Sequence, residues 1–292
     1  MSSPLLEPIG LGPRTSPNRV LFGPHVTNLG DGRALSARHA AYYGRRAEGG
    51  CGVVVTEIAS VHPSDWPYER APLAAACEPG WGSVVEACRP HGALVLAGLG
   101  HAGMQGSTAW SQDALWAPSL VASVSTREQP LVMGDVELAA LVEAFAVAAG
   151  TARRAGCDGV ELNAGQHSLL RQFCSGLTNQ RDDRFGEDRL ALLRDVLAAT
   201  RVELGDGCVL GLRFCADELA PWAGITPDAA GPMLVDLAPL ADYVCVVRGS
   251  IYTEAATQPD GHELQGFNAD LAVGVREALR DAGATVRVVA QG

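Results

Sequence analysis

The sequence predicts an α/β fold built on a parallel sheet. Three observations carry the prediction: short apolar runs rich in β-branched residues, longer amphipathic stretches between them, and regular alternation of the two. The runs are continuous rather than alternating in hydrophobicity, as expected for parallel strands covered on both faces.

In order along the chain, the first run is 19–23, and Ser36 is positioned to cap a helix over 36–48. Gly-Val-Val-Val-Thr over 52–56 is the second run, followed by a short helix over 79–90 that ends at Pro90. The third run is 93–97. After it comes a long loop, 103–130, that holds Trp110 and Trp116, and a loop of that length usually serves function or acts as a lid. The clearest helix is 135–155, where Val136, Leu138, Leu141, Val142, Phe145 and Ala149 fall near helical spacing and Gly156 closes it. The fourth run is 158–162. A helix over 188–204 presents Leu190, Leu193, Val196 and Leu197 and stops at Gly205. The fifth run is 208–213. Thr226, Pro227 and Asp228 then open a helix over 226–240, a cap followed by proline at the first helical position. The sixth run is 242–246, a helix over 268–282 ends at Gly283, and 285–290 is the seventh run. Such a sheet is either open and doubly wound or closed as a (βα)8 barrel, and a closed barrel needs one more βα unit. With no linker, low-complexity tract or repeat, residues 1–292 read as one domain.

Hydrophobic residues make up 47% of the chain and charged residues 19%, enough for a large core and against intrinsic disorder. The formal net charge of −11 repels a phosphate backbone on average, which argues against nucleic acid as a partner. All 22 cationic side chains are arginine. No apolar run is long enough to span a membrane, and the N-terminus lacks a basic segment followed by an apolar one, so a soluble cytoplasmic protein is expected. The eight cysteines form no Cys-x-x-Cys pair and several lie inside apolar runs; they are expected to be reduced, buried thiols rather than disulfides or metal ligands.

Gly98-Leu99-Gly100-His101-Ala102-Gly103 matches the dinucleotide-binding pattern directly after a strand. That chemistry needs a helix starting inside the motif, so that backbone N–H groups meet a pyrophosphate, and an acidic residue about 20 positions on. The residues that follow, Met-Gln-Gly-Ser-Thr-Ala-Trp-Ser, start a helix poorly, and the acidic residue is missing. His101 is expected to play a structural, hydrogen-bonding part.

Several segments carry a more specific pattern. Pro-Asn-Arg-Val-Leu-Phe-Gly-Pro stands at 17–24, and Gly-Val-Glu-Leu-Asn-Ala-Gly-Gln-His-Ser-Leu-Leu-Arg-Gln-Phe at 159–173. Asn179, Arg181, Asp183, Phe185 and Gly186 make an Asn-x-Arg-x-Asp-x-aromatic-Gly segment, and Leu212-Arg213-Phe214 precedes Asp217-Glu218. In this order and spacing the chain resembles the old yellow enzyme (NADH:flavin oxidoreductase) family, most closely its bacterial 2,4-dienoyl-CoA reductase branch, which includes mycofactocin-associated types. The resemblance implies a (βα)8 TIM barrel, with seven strands visible and the eighth βα unit absent from this chain. It implies FMN at the C-terminal ends of the strands, NADH or NADPH as reductant, and hydride transfer from the flavin to an activated alkene. Family positions that wrap the flavin correspond here to Pro24, His25 and Val26 after the first strand, Ile58 after the second, Gly98 on the third, Arg213 on the fifth and Gly292 at the start of the phosphate loop. An arginine closing an apolar strand at a barrel mouth suits negative charge on a reduced flavin.

The chain departs from the family pattern at four places. The family's flavin-contacting glutamine on strand three corresponds to Gly98, and its flavin-tuning threonine or cysteine corresponds to Val26. The His-x-x-His/Asn pair that holds the substrate carbonyl corresponds to Asn163 and Gln166, both able to donate hydrogen bonds. The tyrosine proton donor corresponds to Ser168, a poor acid, so His167, Tyr252 and Tyr243 become the candidates. The expected activity is therefore an FMN-dependent ene-reductase acting on an enoate or dienoyl-CoA type substrate. The alternatives are a flavin-dependent alcohol or amine dehydrogenase, or a non-catalytic barrel that has lost flavin chemistry. The partner is a small molecule, with a homo-oligomer or an electron-transfer partner left open. No metal site is expected in this chain. The branch's [4Fe–4S] cluster and FAD domain would lie beyond Gly292, so the chain is expected to be the N-terminal part of a longer protein.

Overall fold

The structure, a computed structural model, describes residues 3–257 and 262–291. Seven parallel strands form the wall: β1 Leu21–Phe22, β2 Val53–Val55, β3 Leu94–Gly100, β4 Gly159–Ala164, β5 Val209–Asp217, β6 Tyr243–Arg248 and β7 Arg287–Ala290. Each pairs with the next in chain order, from β1 through β7. That order decides the architecture. A doubly wound sheet reverses direction at a switch point, whereas a barrel wall adds strands in sequence. The wall is thus a barrel of seven strands, and the dinucleotide reading of residues 98–103 falls away, because no helix starts inside the motif: a 3-10 turn, Gly103–Gln105, and a one-turn helix, Thr108–Ser111, follow β3.

Alternation along the strands sorts the core into two layers. Val53, Val55, Leu96, Val209, Cys215, Tyr243, Cys245 and Val247 pack together inside the barrel. Val54, Val95, Ala97, Val160, Leu162, Leu210, Leu212, Val244 and Val246 belong to the larger core they share with the helices. The helices are α1 Ala37–Glu48, α2 Glu78–Cys88, α3 Asp135–Arg154, α4 Ala191–Leu204, α5 Pro227–Leu237 and α6 Ala269–Asp281, each lying between consecutive strands. Ser36 caps α1 as the sequence predicts, its hydroxyl accepting from the Arg38 N–H at 3.2 Å. Gly156, just past α3, has φ +86°, a conformation only glycine adopts cheaply. All eight cysteines are free thiols, seven of them buried and Cys51 half-buried.

A hairpin that the sequence reading did not identify, Ile9–Leu11 with Arg14–Ser16, precedes β1, and its Leu11 joins the inner cluster. Among the described residues β1 and β7 do not pair with each other, which leaves a seam in the wall. A cavity of about 900 Å³ lies along it, lined by Leu11, Leu21, Val53, Leu279, Val288 and Val289 among others.

The long 103–130 loop is fastened. Trp116–Ala117 pairs with Leu131–Val132. Arg181 Nη1 donates to the carbonyls of Pro118 at 3.1 Å and Met133 at 2.7 Å, and Asp183 holds that guanidinium from the other side. Asn179 Nδ2 donates to the carbonyls of Phe173 and Phe185, each at 2.7 Å. The Asn-x-Arg-x-Asp segment is therefore a clamp. Its glycine is required because a Cβ on Gly186 would stand 1.9 Å from the Arg181 carbonyl oxygen.

Candidate active site

Odd-numbered positions on β4, β5 and β6 face into the barrel and bring three polar side chains together. Arg213 is level with Asn163 on β4 and Cys245 on β6, and Gly211 is level with Glu161 and Tyr243. Arg213 stands in the middle of Val209–Asp217, not at its end as the sequence reading placed it. Its Nε donates to Glu161 Oε1 at 2.8 Å and its Nη1 to Gln291 Oε1, while its buried Nη2 has no partner among the described residues. Tyr243 donates to Glu161 Oε2 at 2.7 Å. Its ring fills the space that Gly211 leaves, where a Cβ would come within 2.2 Å of it. Burial and the adjacent Glu161 push the Tyr243 hydroxyl pKa well above its ordinary value. Tyr243 thus belongs to the barrel interior, with its proton committed to Glu161, which removes it as a substrate proton donor.

Around Arg213 the backbone is bare of side chains at several glycines, Gly98, Gly100 and Gly165 buried and Gly23 half-buried. A Cβ on Gly23 would be 3.1 Å from Arg213 Nη2, and one on Gly165 would be 3.1 Å from Arg213 Cγ. A Cβ on Gly100 would press on Ile58 Cγ2 at 2.8 Å and Asn163 Cβ at 3.2 Å, and one on Gly98 would meet the Thr56 carbonyl oxygen at 2.4 Å. Gly98 and Gly100 thus pack on Ile58, Gly23 and Gly165 close on Arg213, and Asn163 lies between the two groups. Backbone without side chains, bordered by one guanidinium nitrogen that has no partner among the described residues, suits a planar, electron-accepting ring such as the FMN expected here.

The segment after β1 is held by a separate network. Glu57, fully buried, accepts from the Thr27 N–H at 2.9 Å, His39 Nε2 at 2.9 Å and Tyr68 Oη at 2.5 Å, and also from the Thr27 hydroxyl. His39 Nδ1 accepts from the Ser36 N–H at 3.0 Å, so Nε2 carries the proton that Glu57 receives. Burial works to raise the Glu57 pKa, but the hydrogen bonds from His39, Thr27 and Tyr68 outweigh it and hold it below its ordinary value. This network fixes Thr27 and Asn28. His25 bonds instead to the Tyr42 hydroxyl on α1 at 2.7 Å and packs edge-on to Phe22, while Val26 is 63% exposed. Pro24 is half-buried. Gly292 lies outside the described residues.

The turn after β4 carries the remaining candidates. Asn163 Oδ1 accepts from the Gly165 N–H at 3.0 Å, and its Nδ2 has no partner among the described residues. Ser168 donates to the Asn163 carbonyl and caps the short helix Leu169–Cys174, a structural role that explains a serine at the family's tyrosine position. Gln166, His167 and Tyr252 are half-buried. Beneath them Arg171 and Glu218 form a fully buried ion pair, and Ser175 and the Ile225 N–H complete the Glu218 carboxylate. Burial, with Arg171 nearby, lowers the His167 pKa, and burial raises that of Tyr252. His101 has the structural place expected of it: Nδ1 accepts from the Gly103 N–H at 2.9 Å, Nε2 meets Ser64 at 3.1 Å, and Trp116 stacks on the ring. Glu161, Glu57, Gln291 and the Arg171–Glu218 pair escaped the sequence reading. A carboxylate inside an apolar strand, as in Val-Glu-Leu at 160–162, was the available signal for the first.

A family model described as the NADH:flavin oxidoreductase / NADH oxidase family matches residues 4–260. The chain is 30% identical over 233 residues to N,N-dimethylglycine/sarcosine dehydrogenase of Chromohalobacter salexigens, covering 77% of this chain and 33% of the relative. It is 31% identical over 265 residues to a probable N-methylproline demethylase of Rhizobium meliloti, covering 87% and 38% respectively. The chain thus spans well under half the length of these curated relatives. Histamine dehydrogenase from Rhizobium sp. 4-9 superposes with a TM-score of 0.87 at 26% identity, covering 98% of this chain and 42% of that one. Morphinone reductase, at 24% identity, shares the fold with a TM-score of 0.76 over 99% of this chain and 87% of its own. With the sequential parallel wall, the glycine-lined patch beside Arg213 and the family match over 4–260 in agreement, the chain belongs to the NADH:flavin oxidoreductase / NADH oxidase family, that of the old yellow enzymes.

Proposed function

We propose that this chain is the FMN-binding barrel domain of an oxidoreductase that moves hydride between flavin and a small activated alkene of the enoate or dienoyl thioester type. The observation that carries the reading is Arg213: buried, fixed by Glu161 and Gln291, with Nη2 left unpartnered among the described residues, beside the glycine-lined patch. Arg213, Gly23, Ile58, Gly98 and Gly100 would hold the ring, and Pro24, His25 and Val26 would border it. Bound FMN would supply the hydride chemistry, with NADH or NADPH as the reductant.

The chain's own residues would do the rest. Asn163 Nδ2, without a partner among the described residues, donates to the substrate's carbonyl oxygen, and Gln166 adds a second amide donor. These donors stabilise the charge that builds on that oxygen as hydride reaches the β-carbon. Tyr252, whose hydroxyl burial holds in its protonated form, gives the proton to the α-carbon. His167, whose pKa burial and Arg171 lower, is the other candidate for that proton.

A second reading, oxidation of an N-methylated amine, draws support from the relatives named for dimethylglycine, sarcosine and N-methylproline. One anaerobic experiment tests both readings: flavin-loaded protein mixed with cyclohexenone, a dienoyl thioester, or sarcosine, with the flavin absorbance followed. Reoxidation of reduced protein by the alkenes supports the first reading. Bleaching of oxidised protein by the amine overturns it in favour of the second.

A further inference from the structure

Arg213 could have been paired with a surface carboxylate or left to water. It is paired instead with Glu161, whose side chain has no exposed surface. Both Glu161 oxygens are occupied, Oε1 by Arg213 Nε at 2.8 Å and Oε2 by the Tyr243 hydroxyl at 2.7 Å. We propose that Glu161 is a positioning residue that aims Arg213 and limits how much of its positive charge reaches the bound flavin ring. The proposal rests on the flavin reading above.

Two physical arguments support it. The first is geometric. Holding Nε fixes the rotation of the planar guanidinium, and Gln291 holds Nη1, so among the described residues' contacts Nη2 is the nitrogen left to meet a ligand. The second is electrostatic. In a low-dielectric interior a carboxylate this close cancels most of the guanidinium's field at longer range. What the ring meets is then a directed hydrogen bond at the positive end of a dipole, rather than an isolated charge. Tyr243 keeps Glu161 in that role by satisfying the oxygen that Arg213 does not reach. Removing the Glu161 charge exposes the full cation to the negative charge that reduction places on the ring, so the bound flavin becomes easier to reduce.

The test is the two-electron midpoint potential of FMN bound to the full chain, measured for the unsubstituted protein and Glu161→Gln. The expected result is a rise corresponding to at least a tenfold shift in the ratio of reduced to oxidised flavin, about 30 mV for two electrons. Tyr243→Phe, which leaves the Glu161–Arg213 pair in place, is expected to move the ratio less than threefold. Should Glu161→Gln not accumulate as folded protein, Gln291→Glu reads the same balance from the other side. A second carboxylate on Nη1 is expected to lower the potential. Bound FMN whose potential does not move, or moves the opposite way, overturns the proposal alone. Unsubstituted protein that takes up no FMN overturns the flavin reading and the proposal with it.

Discussion

Two regions at the barrel mouth are built in opposite ways. On the β4–β6 wall, Glu161, Arg213 and Tyr243 are buried and tied to one another, with a single guanidinium nitrogen to spare. In the turn after β4 and around Tyr252, the side chains of Gln166, His167 and Tyr252 are half-buried, and none has a hydrogen-bond partner among the described residues. The wall is preorganised for one rigid ligand, and the turn is left adjustable. The resemblance to the family implies departures in both regions, at Gly98 and Val26 beside the proposed ring site and at Asn163, Gln166 and Ser168 in the turn. On the proposed reading, the wall would meet the constant cofactor and the turn after β4 the variable substrate.

Breaking the rigid region should have the largest effect. Arg213→Ala leaves Glu161 buried and uncompensated, so we expect a loss of about 3–5 kcal/mol of stability in chemical denaturation. FMN affinity should fall at least 100-fold (about 2.7 kcal/mol) in an absorbance titration. Affinity within threefold of the unsubstituted protein would move the ring site elsewhere. In the adjustable region, Asn163→Ala should lower kcat/KM for an enone by about 10²–10³, with FMN affinity unchanged. An equal loss of FMN affinity would erase the distinction between the two regions.

A sharper test restores the family's side chain at Gly98. In Gly98→Gln the new Cβ meets the Thr56 carbonyl at 2.4 Å, so the strands must shift, at a cost of about 1–3 kcal/mol read as a lower Tm. An unchanged Tm would mean that the wall yields more easily than its packing indicates.

The smallest effect is in pH. Burial lowers the pKa of His101 below its ordinary 6.5. Above that value neither the folded nor the unfolded chain carries the proton, and the residue contributes no slope. As the pH falls below it the unfolded chain is protonated first, so stability drops until the folded-state pKa is reached, by at most about 1.4 kcal/mol per pH unit. A melting series from pH 8 to 5 should show this fall, and His101→Gln should flatten it.

Much of the frame was legible in the sequence because barrel strands and their helices differ sharply in period. The seven apolar runs all became wall strands, and the Ser36 and Thr226 caps lie where the helices begin. What could not be read follows from the same physics. The hairpin at Ile9–Leu11 and Arg14–Ser16 has strands of three residues, too short to show a period. The helix Leu169–Cys174 is buried on every side and so shows no contrast between faces. Arg213 stood out as a charge in an apolar strand, but its partner lies 52 positions away, and only the register of β4 against β5 brings Glu161 to it. The absence of a glutamine at Gly98 becomes understandable only once the Thr56 carbonyl of the neighbouring strand is seen beside it.

The seam between β1 and β7 has a consequence in mass action. Gly23 follows one of its edges and Gln291 follows the other, and Arg213 lies against both. A ligand seated on Arg213 would therefore bridge the opening, and spreading of the barrel would compete directly with binding. Flavin would then act as a concentration-dependent fastener, adding about 2.7 kcal/mol when present at 100 times its Kd. The melting temperature of this chain would report on the cofactor supply around it.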